Sequence, residues 1–386
     1  MGVLARERAL DRIADLSGRG LDLVSFWREA SEQIAPLVPH YVGPCWYTLD
    51  PASLLITSHF NPGEFYELRR EWLELELDPA QPHSLTNVVR SDCGFSTLQD
   101  ATGGNPRSSE RWRACMELGG DQELLVALRT PIGHAWGALG LYREPDRPLF
   151  TEDEIALLTR AAPHFAEGAR RALLFGEASD PEDPEAPALL VLGPGGEPQS
   201  TTAGAERWLS DLPCGDWDAG RLPPAVLAVA ARAARTAESE RAPGEVALAR
   251  VLTSSGRWVV LHGAPMLGIS PPRVAVIIEP AHPARITPLL MDAYGLTERE
   301  QEITRHVLQG DSTVEIAERL VLSPHTVQQH LKNIFGKTGV SSRRDLVGKV
   351  FFSHYEPRLR DNEQRVVDGR PLRGGPMRAG RDSALR

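Results

Sequence analysis

The sequence feature that most constrains the fold is a repeated helix-start signal between residues 296 and 320. Thr297 is followed three residues later by Glu300, which is the spacing of a helix capping box. Ser312 and Glu315 repeat that spacing after Gly310, a residue type that commonly ends helices. These signals predict two short helices, each starting and ending at a defined residue.

The next stretch continues the same pattern. Ser323 is a favourable helix cap, and Pro324 suits the first helical position because an N–H there has no partner. Gly339 ends this third helix, and "SSRRDLVGKVFF", residues 341–352, predicts a fourth. The unit is therefore expected to be all-α, with four helices. The second and third are joined by a turn short enough for a helix-turn-helix.

The third helix has two chemically different faces. Helical spacing predicts a buried stripe of Val327, Leu331, Ile334 and Phe335. It places on the opposite face His325, Gln328, Gln329 and Lys332. Glutamine can bind adenine in a bidentate way, and lysine can reach guanine or a phosphate, whereas a carboxylate would be repelled. Taken alone, the same face could also be an ordinary solvated, amide-rich surface.

Charge is distributed unevenly along the chain. The formal net charge is -10, yet the three lysines all lie near the C-terminus, at positions 332, 337 and 349. The acidic excess lies upstream, so a polyanion would be repelled except through the C-terminal part. The positive charge there is small, and one copy of the chain is expected to bind nucleic acid weakly.

Residues 296–347 contain the words "LTERE", "EIAERL", "LSPHTVQQHLKNIF" and "GVSSRRDLV" at consistent spacing. This run strongly resembles the C-terminal DNA-binding domain of LuxR/NarL-type transcription regulators. The resemblance implies that the third helix enters the major groove with Gln328, Gln329 and Lys332 facing the bases. It implies phosphate contacts from Thr326, Lys337, Ser342 and Arg343, and His330 is expected either to contact phosphate or to support packing. Gly336 and Thr338 depart from the family pattern and are expected to loosen the fourth helix.

The N-terminal part is predicted to be α+β. "ELLVALRT" and "AWGALGLYR" read as paired strands, and Thr151 with Glu154 starts a long amphipathic helix. Its predicted buried face comprises Ile155, Leu158, Ala162, Phe165 and Ala169. With an N-terminal helix, this pattern resembles a GAF sensory domain. The middle part, with "ALLVLGPGGEPQSTTAGAERWL" followed by three strand-like runs, resembles a PAS-type domain.

Composition breaks separate these parts. An acidic, Pro-rich stretch at 176–187 and a Pro-punctuated one near 283 read as linkers, and the Arg-rich C-terminal tail is poor in large apolar residues. The expected segments are a GAF-like domain at 1–175, a linker at 176–187, a PAS-like domain at 188–282, a linker at 283–295, the helix-turn-helix domain at 296–355 and an unfolded tail at 356–386.

Motifs for catalysis or metal binding are weak. No P-loop, GxSxG or kinase motif occurs, so we expect no enzyme activity and no cofactor. His325 and His330 are five residues apart and cannot share a metal from one helix face, and the four cysteines lack metal-binding spacing. "GPGGEP", residues 193–198, predicts a hairpin turn rather than a dinucleotide-binding loop.

Aromatic residues of the first domain allow two interpretations. The set is Trp46, Tyr47, Phe60, Trp112 and Trp136. They could line a pocket for a small molecule, or they could simply form the core and its rim, which is the more frequent role. The sequence does not identify a ligand.

The sequence therefore predicts a sequence-specific, DNA-binding transcription regulator. Without a long apolar run or a signal peptide, it is expected in the cytoplasm with no membrane contact. Expected partners are double-stranded DNA, a second copy in a homodimer, an unidentified small-molecule ligand, and RNA polymerase. The alternative is a scaffold or interaction module whose helix-turn-helix binds protein instead of DNA.

Overall fold

The protein is described here by a computed structural model, which covers residues 3–63, 70–78, 80–175, 187–238, 246–266, 268, 271–281 and 283–354. The predicted tail, 356–386, lies outside the described residues, as does the predicted linker 176–187 except for its last residue. The α+β character of the N-terminal part and the helical character of the C-terminal part are confirmed.

The first unit is built on a five-stranded antiparallel sheet with strand order β2-β1-β5-β4-β3. Its strands are β1 Tyr41–Leu49, β2 Ile56–Phe60, β3 Phe95–Thr97, β4 Gln122–Arg129 and β5 Ala135–Arg143. The predicted strand pair corresponds to β4 and β5, which are antiparallel neighbours. Trp46 and Trp136 are fully buried, which favours the core interpretation for these two aromatic residues.

Three helices cover one face of this sheet: α1 Val3–Ser17, α2 Leu23–Ile34 and α7 Glu152–Ala172. α7 starts with the predicted capping box, in which Thr151 and Glu154 exchange hydrogen bonds. Its buried side includes Leu158 and Phe165 as predicted, whereas Ile155 is only half-buried. Gly168 faces Phe26 so closely that a Cβ would overlap the ring, so this glycine lets α2 pack tightly against α7.

Shorter helices cover the opposite face: α3 Arg70–Leu77, α4 Leu85–Arg90, α5 Leu98–Ala101 and α6 Glu110–Glu117. Beneath them lies a fully buried ionic network. Arg111 donates to both Glu76 and Glu123, and Tyr142 donates to Glu123 over 2.9 Å. Charged groups removed from water in this way are tolerated only when they are paired.

The second unit repeats the same sheet plan. Its strands are β6 Ala188–Leu192, β7 Pro198–Thr201, β8 Leu248–Leu252, β9 Trp258–Met266 and β10 Arg273–Pro280, in the order β7-β6-β10-β9-β8. β6 and β7 form a hairpin closed by the hydrogen bond from Gly193 N–H to the Glu197 carbonyl. The hairpin predicted for "GPGGEP" is confirmed.

Two helices complete this unit: α8 Ala205–Asp211 and α9 Pro224–Glu238. α9 is buried almost all round, because it packs on β9 and β10 and also on β2 and α3 of the first unit. Gly263 allows its close approach, since a Cβ there would lie 2.8 Å from both the Val229 side chain and the Val229 carbonyl oxygen. The Ala-rich sequence of α9 thus suits a thin helix between two sheets.

The two units consequently share their apolar cores. Two hydrophobic clusters lie on either side of the first sheet, and each contains buried residues from both sheets. An ion pair also crosses the junction, because Arg250 on β8 donates to Asp50 at the end of β1 from Nε, from Nη2 and from its backbone N–H. The two α+β units therefore pack directly against each other.

The predicted linker 283–295 is largely helical, which differs from the sequence expectation of a simple connector. α10 runs from Pro283–Ala293 and buries Ile286, Leu289 and Leu290 in the core shared by the two units. A helix with one apolar side gains free energy when it packs there. The C-terminal helices are thus attached to the rest of the protein through an ordered element.

Candidate DNA-binding surface

Four helices follow α10: α11 Glu298–Gln309, α12 Thr313–Leu320, α13 Pro324–Thr338 and α14 Arg343–His354. Thr297 and Ser312 each make both hydrogen bonds of a capping box, with Glu300 and Glu315 respectively, as the spacing predicts. Gly310 ends α11 in the left-handed conformation. These local signals fix where each helix starts and stops.

α13 is capped by Ser323, whose hydroxyl accepts from the Thr326 backbone N–H, and it ends at Gly339. One side of it is buried in a small core formed with its neighbours. The members of that core include Ile303, Val307, Ile316, Val327, Leu331, Ile334 and Leu346. Because Val327, Leu331 and Ile334 are all buried, the orientation of α13 about its own axis is fixed.

The opposite side of α13 faces outward. Gln328, Gln329 and Lys332 are exposed, and so is His325 at the start of the helix. Nε2 of Gln328 donates to Oγ1 of Thr313 over 3.2 Å, which links the face to the first turn of α12. The exposed face carries amides and an ammonium and no carboxylate, so it can approach a polyanion without charge repulsion.

Sequence reasoning missed one member of this surface. Asn333 is exposed and lies four residues after Gln329, so its amide extends the same side of α13. Helical spacing would have identified it. Gly336 is also exposed with no atom near its missing side chain, and α13 continues through it without interruption.

The five predicted phosphate-contacting residues lie on two elements. Thr326, His330 and Lys337 share one side of α13 by their spacing of four and seven residues. Ser342 and Arg343 lie at the start of α14. The structure therefore divides the predicted set into a row along α13 and a pair at a helix N-terminus.

Most of these side chains already have a partner within the protein. Lys337 Nζ lies 2.6 Å from Glu300 Oε2, and Ser342 Oγ accepts from the Asp345 backbone N–H at 3.0 Å. Thr326 Oγ1 lies 2.8 Å from Ser323 Oγ. Lys337 would have to leave its ion pair to bind a phosphate fully, which sequence spacing alone could not indicate.

The turn between α12 and α13 contains an unusual residue. Val321 caps α12 at φ 54° and ψ 51°, which is the left-handed region, and its side chain is 90% exposed. A β-branched residue is strained in this conformation, where glycine is normally found. The turn is therefore tight at some energetic cost.

The junction with the rest of the protein centres on Asp292 in α10. Its Oδ1 accepts a hydrogen bond from Gln301 Nε2 in α11 over 2.6 Å, and it lies 3.7 Å from Nδ1 of His134 in the β4–β5 turn. Gln301 in turn accepts from Arg305. One carboxylate thus contacts both the first sheet and the helical part.

Two short helices joined by a tight turn, the second exposing a face free of acidic groups, define a helix-turn-helix domain. Residues 295–350 match the family described as bacterial regulatory proteins, luxR family, so this segment is a LuxR-family helix-turn-helix domain.

Several relatives matched over this segment are named as transcriptional regulators. A putative HTH-type transcriptional regulator of Mycobacterium bovis is 46% identical over 55 residues, which is 14% of this chain and 6% of that protein. The monoamine regulon transcriptional regulator of Klebsiella aerogenes is 45% identical over 56 residues, covering 14% of this chain and 25% of that one. The chain thus spans only a small part of the length of the curated relatives it matches.

Solved structures with overall similarity are distant. A phycoerythrobilin-bound GAF domain from a cyanobacterial phytochrome aligns with 44% of this chain and 96% of its own, with TM-score 0.33 and 15% identity. Escherichia coli SdiA aligns with 90% of this chain and 95% of its own, with TM-score 0.29 and 14% identity.

Among the residues that the structure describes, no group of three or more His, Cys, Asp or Glu side chains could hold a metal ion. In the same residues, no helix is both long and apolar enough to cross a membrane.

Proposed function

We propose that the chain is a sequence-specific DNA-binding transcription regulator whose helix α13 reads the major groove. The observation that carries this proposal is the exposed face of α13, where Gln328, Gln329 and Lys332 lie opposite a buried apolar stripe. Amide and ammonium groups match the hydrogen-bonding edges of adenine and guanine. Asn333 extends that surface by one turn.

Phosphate binding would come from the flanks of this face. Thr326 and His330 lie beside it on α13, and Ser342 and Arg343 lie at the start of α14, where the N-terminus of a helix favours an anion. Lys337 would contribute by exchanging Glu300 for a phosphate. Such contacts position the helix but carry no sequence information.

We infer that two copies bind together. The helix-turn-helix part offers few cations to the DNA, and a second copy on an adjacent half-site would double the phosphate contacts and the bases read. Sedimentation of the full chain, free and on its DNA site, tests this. A monomer in both conditions would contradict it.

We further propose that residues 1–175 and 188–282 are GAF-like and PAS-like sensory domains that regulate the domain at 296–355. Their two sheets have the same strand order along the chain, and α10 packs Leu289 and Leu290 into the core they share while its Met291 lies in the separate core of the helix-turn-helix part. A bound ligand that altered this core could therefore alter DNA binding. RNA polymerase would be the partner through which a regulator of this kind acts, in the cytoplasm.

The first test is selection of bound sequences from a random duplex pool, with the full-length chain near physiological salt. We expect an enriched motif with two-fold symmetry. Enrichment by residues 283–354 alone would instead mean that the upstream units block binding in the absence of a signal. No enrichment by either protein would favour the alternative, in which the helix-turn-helix binds protein.

Lys332→Ala tests the role of the exposed face. Loss of a base contact should cost about 1–3 kcal/mol of binding free energy, concentrated at one position of the site. A uniform loss across sequences would reassign Lys332 to a phosphate. Arg147→Ala removes an equal charge from an exposed position on the first unit and should leave the selected motif unchanged.

A further inference from the structure

A cavity of about 420 Å³ lies where the two α+β units meet. The first unit forms one wall from the start of α2, the edge strand β2 with its neighbour β1, and the end of α7. The second unit forms the other wall from Pro213, Cys214 and the β8–β9 turn. Sγ of Cys214 donates to the His59 carbonyl across this boundary at 2.8 Å. The cavity therefore depends on both units being in contact.

Within the part of the chain that the structure describes, two residues of this wall have a buried polar atom without a hydrogen-bond partner. These atoms are Nε1 of Trp27 and Oγ1 of Thr48, each in a residue that is 1% exposed. Their neighbours differ: Trp46 Nε1 donates to Ser31 Oγ at 2.8 Å, and Thr57 Oγ1 donates to the Thr48 carbonyl at 3.1 Å. Buried polar groups normally have partners, so these two atoms in the wall of one cavity are candidates for hydrogen bonds to a bound molecule.

Charge restricts what could bind. Among the described residues that line the cavity there is no lysine or arginine, and their single carboxylate, Asp22, caps α2 by accepting from Ser25. Hydrogen bonds from Ser25 also lower the pKa of Asp22, and burial lowers the pKa of His59 to about 4, so that the imidazole is neutral at pH 7. An anionic ligand would find no opposite charge here, and the one carboxylate that could attract a cation already caps α2.

The rest of the wall is mainly apolar. It includes Leu23, Val24, Phe60, Leu173, Val251 and Leu252. A concave, largely apolar surface with a few fixed polar groups is typical of small-molecule sites, and this volume lies within their usual range. Phe60 is thus the one predicted pocket aromatic that lines this cavity.

We propose that this cavity binds an uncharged, mostly apolar small molecule with a hydrogen-bond acceptor for Trp27 Nε1 and a second polar contact to the Thr48 hydroxyl. The indole is held for this role, since Trp27 stacks on Trp46 with ring centroids 4.5 Å apart and planes 13° apart. Apolar molecules that carry an acceptor for Trp27 Nε1 should therefore bind more tightly than those without one.

The site also has a route to the DNA-binding part. Leu173, at the end of α7, lines the cavity and shares its core with Ile286, Leu289 and Leu290 of α10. α10 leads directly into α11, to which Asp292 is hydrogen bonded. A ligand that draws the two units together would therefore stabilise the position of α10. This regulatory step rests on the proposed DNA-binding function, whereas the binding site does not.

The test uses 2-nonanone as the probe, because it combines an apolar chain with one carbonyl acceptor and no charge. Binding to the full-length chain is measured by calorimetry and by the shift in Tm, without DNA. We expect saturable binding, at least tenfold weaker binding of the charged nonanoate, and a loss of about five- to tenfold in affinity for Trp27→Phe.

Three further variants control for folding and specificity. Thr48→Val keeps the side-chain shape and should weaken binding, while Ser254→Trp, an exposed change at the rim, should block the cavity without disturbing the core. Trp112→Phe removes an indole that donates to Asp121 outside the cavity and should bind as the unmodified chain does. The proposal would be overturned if the unmodified chain showed no saturable binding. It would also be overturned if Trp27→Phe and Ser254→Trp bound 2-nonanone with the same affinity as the unmodified chain.

A separate measurement addresses regulation. The affinity of the full-length chain for its selected DNA is compared with and without 2-nonanone, in the unmodified chain and in Ser254→Trp. A change confined to the unmodified chain supports coupling through α10. An unchanged affinity, with the probe bound, would overturn the coupling alone and leave the site established. Absence of DNA binding in every condition would reject the proposed function and not the cavity.

Discussion

Nζ of Lys337 in α13 lies 2.6 Å from Oε2 of Glu300 in α11, and the carboxylate is 4% exposed. Glu300 also accepts from the Thr297 backbone N–H as part of the capping box. One carboxylate thus both starts α11 and fixes the far end of α13. Burial opposes its ionisation, but the hydrogen bonds from Lys337 and Thr297 outweigh burial and hold its pKa below the ordinary value.

Glu300→Gln should destabilise the helix-turn-helix part by about 1 kcal/mol at pH 7, because glutamine keeps the capping box and loses the ion pair. The folded pKa of Glu300 is lowered, so its contribution is present above the unfolded value of 4.5 and is lost as the pH falls through the folded value. Hydrogen exchange of the α11 and α13 amides measures the stability of the helix-turn-helix part. Glu318→Gln, an exposed change on α12, is the control and should leave exchange unchanged. Equal exchange rates in the two variants would contradict the expectation.

Val321→Gly should stabilise the helix-turn-helix part by about 1 kcal/mol, since Val321 has φ 54° and glycine adopts that conformation without strain. The matched control is Val314→Gly, at an exposed position inside α12, which should destabilise by about 1 kcal/mol. Thermal unfolding of the two variants should therefore shift in opposite directions. A lower Tm in both would mean that Val321 is not strained.

The helix boundaries in the C-terminal part could be predicted because each depends on residues close in sequence. A capping box such as that of Ser312 and Glu315 needs only two side chains three positions apart. The buried stripe of α13 is equally local, since it follows from the helical period. These features therefore appear in the sequence before any tertiary contact is known.

Features that depend on distant residues could not be predicted. Arg250 and Asp50 pair across 200 positions, and nothing near either residue indicates the other. The all-round burial of α9 also escaped prediction, because an Ala-rich helix suits many environments. Lys337 and Glu300 are also far apart in sequence, so the prediction of a phosphate contact for Lys337 could not take their ion pair into account.

Arg111→Met should destabilise the first unit by about 3–5 kcal/mol, because Glu76 and Glu123 would remain buried without their shared cation. Urea unfolding followed by tryptophan fluorescence measures the change. Arg113→Met, two residues later and exposed on the same helix, removes the same charge and should change stability by less than about 0.5 kcal/mol. Similar losses in the two variants would mean that the network is not what holds α6 to the sheet.

His59→Gln should make the protein less sensitive to acid. Burial lowers the pKa of His59 to about 4 from 6.5, so the unfolded chain takes up a proton on His59 at a higher pH than the folded protein does. The unmodified protein should therefore lose stability from about pH 6.5 down to pH 4, by a total on the order of 3 kcal/mol from this residue. The unfolding free energy, measured at pH 7, 5.5 and 4.5, should decrease less with falling pH in His59→Gln than in the unmodified protein. His325→Gln, at an exposed position, should follow the unmodified protein, and an equal slope in His59→Gln would show that His59 is not the group responsible.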